Sequence, residues 1–214
     1  RIVDFTLSNC LNSELRRIYV LTQYKSDSLN QHILEAWSIF NPELGEFIYS
    51  IPPQRKLNND WYLGTANAIY QNMNLFSSDK KANWVLILSG DHIYKMDYGA
   101  MLAEHVEHKA DMTVGCLEMP IDQAHAFGVM GINNKGRVLS FSEKPENPEP
   151  VPGKPDVALA SMGIYIFNTD FLFEQLIKDA DTPYSEHDFG KDIIPAVIEN
   201  YNVHAYPFRD ERSG

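Results

Sequence analysis

Short apolar runs alternate with stretches of helical periodicity along almost the whole chain. That alternation predicts an α/β fold with a doubly wound, mostly parallel sheet of Rossmann-like type. Strands are expected at 18–22, 84–89, 112–116, 129–132, 138–141, 160–167 and 204–207, and helices at 4–12, 28–37, 65–76, 98–108, 170–177 and 189–199. Asp27 or Ser28, Asp97 and Thr169 stand where N-caps belong. Asn133-Asn134-Lys135-Gly136 lies between two short strands and reads as a hairpin turn that needs positive φ, so the sheet is predicted to be mixed. Two stretches break the rhythm, 41–60 and 145–156, and both read as surface loops at the rim of the sheet.

The most informative run is Trp84-Val85-Leu86-Ile87-Leu88-Ser89-Gly90-Asp91-His92-Ile93-Tyr94. It is too short for a membrane span and ends in a turn signal, which fits a strand covered on both faces. Ligands in open α/β sheets bind beyond the carboxyl ends of strands, which would put Asp91 at a site, with Gly90 leaving room for a ligand or metal. The other reading is that Asp91 only caps the next turn. The run leaves both open.

With 214 residues the chain is long enough for one α/β domain, taken as 1–214, and too short for two ordinary ones. It starts at Arg1 and ends in a polar run, which suggests a piece of a longer protein. No stretch has membrane-spanning length and none resembles a signal peptide, so a cytoplasmic protein without a membrane partner is expected. The formal net charge of -11 at pH 7 argues against nucleic acid as a partner, although a few local cations could still hold a small phosphorylated ligand. Cys10 and Cys116 have no metal-type spacing and are read as buried thiols in a reducing compartment.

Four further stretches could carry chemistry. Trp61-Tyr62-Leu63-Gly64-Thr65-Ala66-Asn67-Ala68 opens a helix whose first amides would suit an anion or a nucleobase carbonyl, unless it is simply a capped helix with a packed aromatic pair. Glu143-Lys144-Pro145 ends a strand, with an extended exit expected before the proline, a lysine able to meet a phosphate and a glutamate able to accept sugar hydroxyls. Gly163 inside Ala160-Ser161-Met162-Gly163-Ile164-Tyr165 marks a bulge or a close approach, and Phe127-Gly128-Val129-Met130 repeats the device. Asp188-Phe189-Gly190 mimics a kinase tripeptide without the rest of the kinase signature. His105 and His108, among Glu104 and Glu107, could bind a metal but read as a solvated face.

Taken in order, these segments resemble the ADP-glucose pyrophosphorylase family, the glucose-1-phosphate adenylyltransferases of bacteria and plants. The matching runs are Arg1-Ile2-Val3-Asp4-Phe5-Thr6-Leu7-Ser8-Asn9-Cys10, Leu21-Thr22-Gln23-Tyr24, Gly64-Thr65-Ala66, Gly90-Asp91-His92-Ile93-Tyr94, Phe127-Gly128-Val129, Glu143-Lys144-Pro145, Ser161-Met162-Gly163-Ile164-Tyr165 and His187-Asp188-Phe189-Gly190-Lys191-Asp192. The resemblance implies a nucleotidyltransferase domain that uses ATP, glucose 1-phosphate and Mg²⁺. Asp91 would hold the metal, and Lys144 would bind the sugar phosphate beside Tyr62, Gly128, Glu143 and Ser161. Gly64, Thr65 and Ala66 would lie near the nucleotide. Arg1 and Gln23 match positions tied to allosteric metabolites, and the full-length form would be a homotetramer.

The resemblance also places a glycine-rich phosphate loop before Arg1 and a second metal-binding Asp after Gly214, so the 214-residue piece alone is expected to turn over little substrate. Leu63 and Asn67 replace an Arg and an Asp found in many bacterial members, and Ser77-Ser78 stands where some carry an arginine pair near an AMP site. Rival readings are a nucleotidyltransferase for UDP-, dTDP- or GDP-sugars, a regulatory subunit with little catalysis, and a metal-dependent glycosyltransferase. The last is disfavoured because Asp91-His92-Ile93 lacks a second acid.

Overall fold

A computed structural model describes residues 1–23, 26–53, 61–77 and 82–209. Tyr24, Ser78, the stretch 54–60 of the first predicted loop and the terminal residues 210–214 lie outside the described residues. The elements run α1 (Val3–Asn12), β1 (Arg17–Leu21), α2 (Asp27–Ala36), β2 (Phe47–Ile51), α3 (Thr65–Gln71), α4 (Met73–Ser77), β3 (Trp84–Leu88), α5 (Tyr98–Glu107), β4 (Met112–Pro120), β5 (Gly128–Ile132), β6 (Val138–Glu143), β7 (Pro150–Val151), β8 (Lys154–Asn168), α6 (Thr169–Ala180), α7 (Ile194–Val197) and β9 (Val203–Pro207). A π-turn over Phe189–Ile193 leads into α7.

The sheet is mixed and helices accompany it, so the α/β expectation holds. Strands β3, β4 and β9 share one direction: β3 and β4 both pair antiparallel with β8, and β4 pairs parallel with β9. Because β8 stands between β3 and β4, most hydrogen-bonded neighbours in this sheet are antiparallel, and among the described residues parallel pairing is confined to β4–β9 and the separate β1–β2 ribbon. The alternation of runs reports strand spacing but not this insertion of a returning strand.

Both faces of the Trp84 run pack on core clusters, although its residues Val85 to Leu88 are half-buried and Trp84 is exposed. Val85 and Ile87 pack on a cluster around Met112, Phe167, Phe171 and Phe189, while Leu86 and Leu88 pack on a second around Cys10, Met96, Tyr98 and Ile166. Both cysteines are free and buried. The predicted hairpin forms between β5 and β6, with Gly136 at φ 77° and the Asn133 side chain accepting from the Lys135 and Arg137 amides. Among the described residues no helix is long and apolar enough to cross a membrane.

Several boundaries differ for local reasons. β2 lies inside the first expected loop and pairs in register with β1, where Tyr19, Phe47 and Tyr49 form an aromatic group. β7 lies inside the second, folding back on β8 across Gly153. The expected single helix over 65–76 is interrupted at Asn72, whose side-chain Nδ2 donates to the Ala68 carbonyl four residues back, a competition with the helix ladder that bends helices. The helix expected from 189 begins as a π-turn because Asp188 captures the Gly190 and Lys191 amides and Pro195 has no N–H to donate. Of the expected caps, Asp97 accepts from the Gly99 amide, whereas Ser26 and Asn168 precede the other two helices.

Candidate active site

A cleft of about 1080 Å³ is lined by residues from most of the segments singled out in the sequence, among them Thr65, Gly90, Gly128, Glu143, Ser161 and Asp188. Three glycine-dependent close approaches shape its polar end. A Cβ on Gly128 would lie 2.5 Å from Phe141 Cζ and 2.9 Å from Glu143 Oε2, and one on Gly190 would lie 3.1 Å from the same carboxylate oxygen. The Glu143 carboxylate therefore rests between two bare backbone segments, and any larger residue at 128 displaces it.

The third approach joins α3 to the Asp188 turn. A Cβ on Gly64 would fall 2.3 Å from the Glu186 carbonyl oxygen and 2.4 Å from that of His187. The His187 carbonyl accepts from the Ala66 amide at 2.8 Å and from the Asn67 amide at 3.3 Å. The expectation of unpaired amides at the start of α3 therefore fails for Ala66 and Asn67, whose N–H groups are taken within the fold. Thr65 donates its hydroxyl to Asp188 Oδ2 at 2.9 Å and accepts from the Phe189 amide at 3.2 Å. Asp188, discounted in the sequence as a kinase mimic, is thus a capping carboxylate on the cleft wall.

Ser161 reaches the cleft through the bulge expected at Gly163. Pairing between β4 and β8 jumps from Gly115↔Ile164 to Cys116↔Ser161, leaving Met162 and Gly163 as the extra residues, and Gly163 adopts φ 65°. The Gly163 carbonyl accepts from the Ser89 amide at 3.2 Å, tying the bulge to the corner that carries Asp91. Burial pushes the nearby Tyr165 hydroxyl up to about 12; a hydrogen bond with Ser161 opposes the rise, and the charges of Asp188 and Glu143 add to it. Tyr165, Asp188, Phe141 and Gly190 are among the lining residues that motif reading did not assign to the site. The matching runs that contain Tyr165, Asp188 and Gly190 carried a signal that could have found them, and Phe141 had none.

Asp91 sits three residues beyond β3, with its side chain 77% exposed, between Gly90 and His92, which line the cleft. A hydrogen bond from the Ser89 hydroxyl holds its carboxyl below the usual range against the cost of burial, with His92 at 3.5 Å assisting. The corner is braced by α1. Thr6 donates to the Ser89 carbonyl, Asn9 donates to the Tyr94 carbonyl at 2.9 Å and accepts from the Met96 amide, and Ser13 accepts from the Tyr98 amide. Thr6 and Asn9 of the first matching run are therefore positioning residues for the Asp91 loop. An ionised, accessible carboxylate beside a glycine with open space around it suits a hard divalent cation that shares its coordination with phosphate oxygens and water.

Other predicted positions are less direct. Lys144 is exposed and, unlike Glu143, is not among the cleft-lining residues. Its φ is 49°, so the extended exit expected before Pro145 does not form; its amide instead donates to the Phe127 carbonyl at 2.9 Å, and the chain turns sharply there. Tyr62 is 9% exposed and accepts from the Asn72 side chain at 2.9 Å, within the α3 packing and away from the cleft lining. Asn67 accepts from the Leu63 amide and from Gln71, which gives this departure a local structural role. Arg1 donates to the Ser28 hydroxyl at 3.3 Å, and Gln23 donates to the Tyr62 carbonyl at 3.5 Å.

The chain is 58% identical over 214 residues to a glucose-1-phosphate adenylyltransferase of Methylococcus capsulatus, covering 100% of this chain and 50% of that protein. It is 55% identical to proteins of the same name from Nitrosococcus oceani and Teredinibacter turnerae, covering 100% of this chain and 51% of each. The chain spans about half the length of the curated relatives it matches. Its residues 1–212 match the Nucleotidyl transferase family, and with identities of this size along its full length the chain belongs to that family.

Proposed function

We propose that the full-length protein transfers the adenylyl group of ATP to glucose 1-phosphate, giving ADP-glucose and pyrophosphate for glycogen or starch synthesis. The observation that carries this reading is the meeting, in one cleft, of the Asp91 corner with a polar end built from Glu143, Ser161, Asp188 and Thr65. The names of the relatives support it. Glu143, Ser161 and the bare backbone at Gly128 suit a sugar rich in hydroxyl groups, and Lys144 at the end of β6 meets its phosphate. Tyr62 supports this wall from behind, and the turn at Gly64, Thr65 and Ala66 borders the nucleotide.

An oxygen of the glucose 1-phosphate forms a bond to the α-phosphorus of ATP as the bridging α–β P–O bond breaks, and pyrophosphate leaves with the electron pair. The attacking oxygen is already an anion at neutral pH, so no side chain has to remove a proton. What the chain supplies is alignment of two anionic groups, through Lys144 and the cleft walls, and an ionised carboxylate at Asp91. Asp91 would hold Mg²⁺, which when bound neutralises charge on phosphate oxygens.

Gln23 touches the backbone of Tyr62, so a metabolite felt at Arg1 or Gln23 has a short route to the substrate wall. The full-length enzyme is taken as an allosteric homotetramer of the cytoplasm. The test is pyrophosphate release by the full-length protein with glucose 1-phosphate and ATP, UTP, dTTP or GTP in turn. ATP should support turnover at least about tenfold better than the others, a discrimination of roughly 1.4 kcal/mol. Preference for another triphosphate would assign a different sugar nucleotide, and no turnover with any would favour a regulatory subunit.

A further inference from the structure

We infer that Glu104, His108 and His204 form a binding site for a zinc-class transition metal ion, separate from the Asp91 corner. Glu104 and His108 are four apart at the C-terminal end of α5 and so share one helix face. His204 comes from β9 and meets that face: its Nε2 lies 3.7 Å from Glu104 Oε2, and its ring stacks on the His108 ring at 3.9 Å with 21° between the planes. One ligand atom from each residue lies within 4.8 Å of the other two. A tetrahedral ion with bonds of about 2.0–2.1 Å places its ligand atoms roughly 3.4 Å apart, so closing the triad draws the ligand atoms together from within 4.8 Å, by rotation of the accessible Glu104 and His108 side chains.

The three residues divide the work. His204 is 6% exposed and held by the β5–β6 hairpin, where a Cβ on Gly136 would lie 2.8 Å from its Cε1 and the Ala205 amide donates to the Gly136 carbonyl at 2.8 Å. It is the fixed ligand. His108 is exposed and Glu104 half-exposed, and both are able to rotate toward an ion arriving from solvent. His105, the other histidine of the pair noted in the sequence, has a different task. Buried, it is hydrogen-bonded to Thr113 at 2.8 Å and to Asn168 at 3.2 Å, and takes no part.

Two imidazoles and one carboxylate select zinc, cobalt, nickel or copper over magnesium, whose hard, oxygen-preferring coordination they do not satisfy. Three protein ligands leave a fourth position for water. A bound ion would tie the end of α5 to β9 and, through Gly136, to the β5–β6 hairpin.

The experiment titrates Co²⁺ and Zn²⁺ into the full-length protein and into a Glu104→Gln/His108→Ala variant whose substitutions fall on solvent-accessible positions. The parent should show a Co²⁺ absorption band of tetrahedral type that Zn²⁺ displaces and millimolar Mg²⁺ does not. The variant should bind one equivalent fewer per chain, and each single substitution should weaken binding by at least about tenfold. Zn²⁺ should also raise the melting temperature of the parent more than that of the variant. Equal equivalents and equal affinity in parent and variant, or the absence of the Co²⁺ band, would overturn the assignment.

Discussion

Asp91 and Lys144 carry opposite charges and are asked to do different things, which makes their removal distinguishable. Asp91 is exposed, ionised and braced at the end of β3, and its proposed partner acts on charge that builds up during the reaction. Asp91→Asn in the full-length enzyme should therefore lower kcat steeply and leave glucose 1-phosphate affinity comparatively intact. In the proposed reaction Lys144 meets a phosphate that is charged before and during reaction, so its loss would remove mainly uniform binding. Lys144→Ala should raise KM for glucose 1-phosphate by about one to two decades, the equivalent of the roughly 1.5–3 kcal/mol of a hydrogen bond to a charged group. Lys144→Arg should restore only part of this, because a planar fork does not reproduce a point charge. Steady-state kinetics on the three variants decide it, and a normal KM for Lys144→Ala removes this residue from the sugar phosphate site. The left-handed φ of 49° at Lys144 is costly for a residue with a Cβ, and sites where such strain persists are often functional.

At the scale of elements, the interlock of α3 with the Asp188 turn is the feature most sensitive to substitution. Gly64→Ala would drive a Cβ into two backbone carbonyls, which cannot rotate away as a side chain could. It should lower stability by about 2 kcal/mol or more, whereas Gly90→Ala, with open space around its Cβ position, should change stability by less than about 0.5 kcal/mol. Denaturant melts of the two variants make the comparison, and equal stabilities would mean that α3 and the turn do not dock as described.

That interlock also shows what the sequence could and could not disclose. Periodicity found β3, β4, α5, α6 and the Asn133–Gly136 hairpin, because each has its apolar positions or turn residues within a few neighbours. The Gly163 bulge was legible for the same local reason. The five-residue β2 was hidden, since its partner β1 lies some thirty residues earlier and nothing inside Phe47–Ile51 reports it. Nor could local pattern tell that the α3 amides would be taken by His187, over a hundred residues away, or that His108 would stack on His204 instead of acting with His105. The site was read from residue types with special backbone or charge roles, and its packing partners had to come from the fold.

For the whole molecule, the notable arrangement is that the cleft runs between two sheets. Among the described residues β1 pairs with β2 alone and β3 with β8 alone, and both Arg17–Leu21 and Trp84–Leu88 line the same cleft. The side chains of β3 have both faces covered, yet Val85 to Leu88 remain only half-buried, so what is left accessible is the strand's edge and the apolar flanks beside it. Ile18 and Val20 of β1 are half-buried in the same way. An accessible strand edge with apolar flanks is a surface that natural sheets usually pair or cover. The 214-residue chain should therefore bind an apolar dye such as ANS under native conditions, with folded far-ultraviolet circular dichroism and ahead of any unfolding transition. Ile87→Lys, which sets a charge on one flank, should reduce that binding. Because Asp91 stands where β3 leaves this cleft, dye and glucose 1-phosphate should compete if the apolar end and the polar end form one continuous space. Fluorescence titration reads both effects. A native chain that leaves the dye dark would show that β1 and β3 close on one another in solution, and the route from the strand edges to the candidate active site would then be lost.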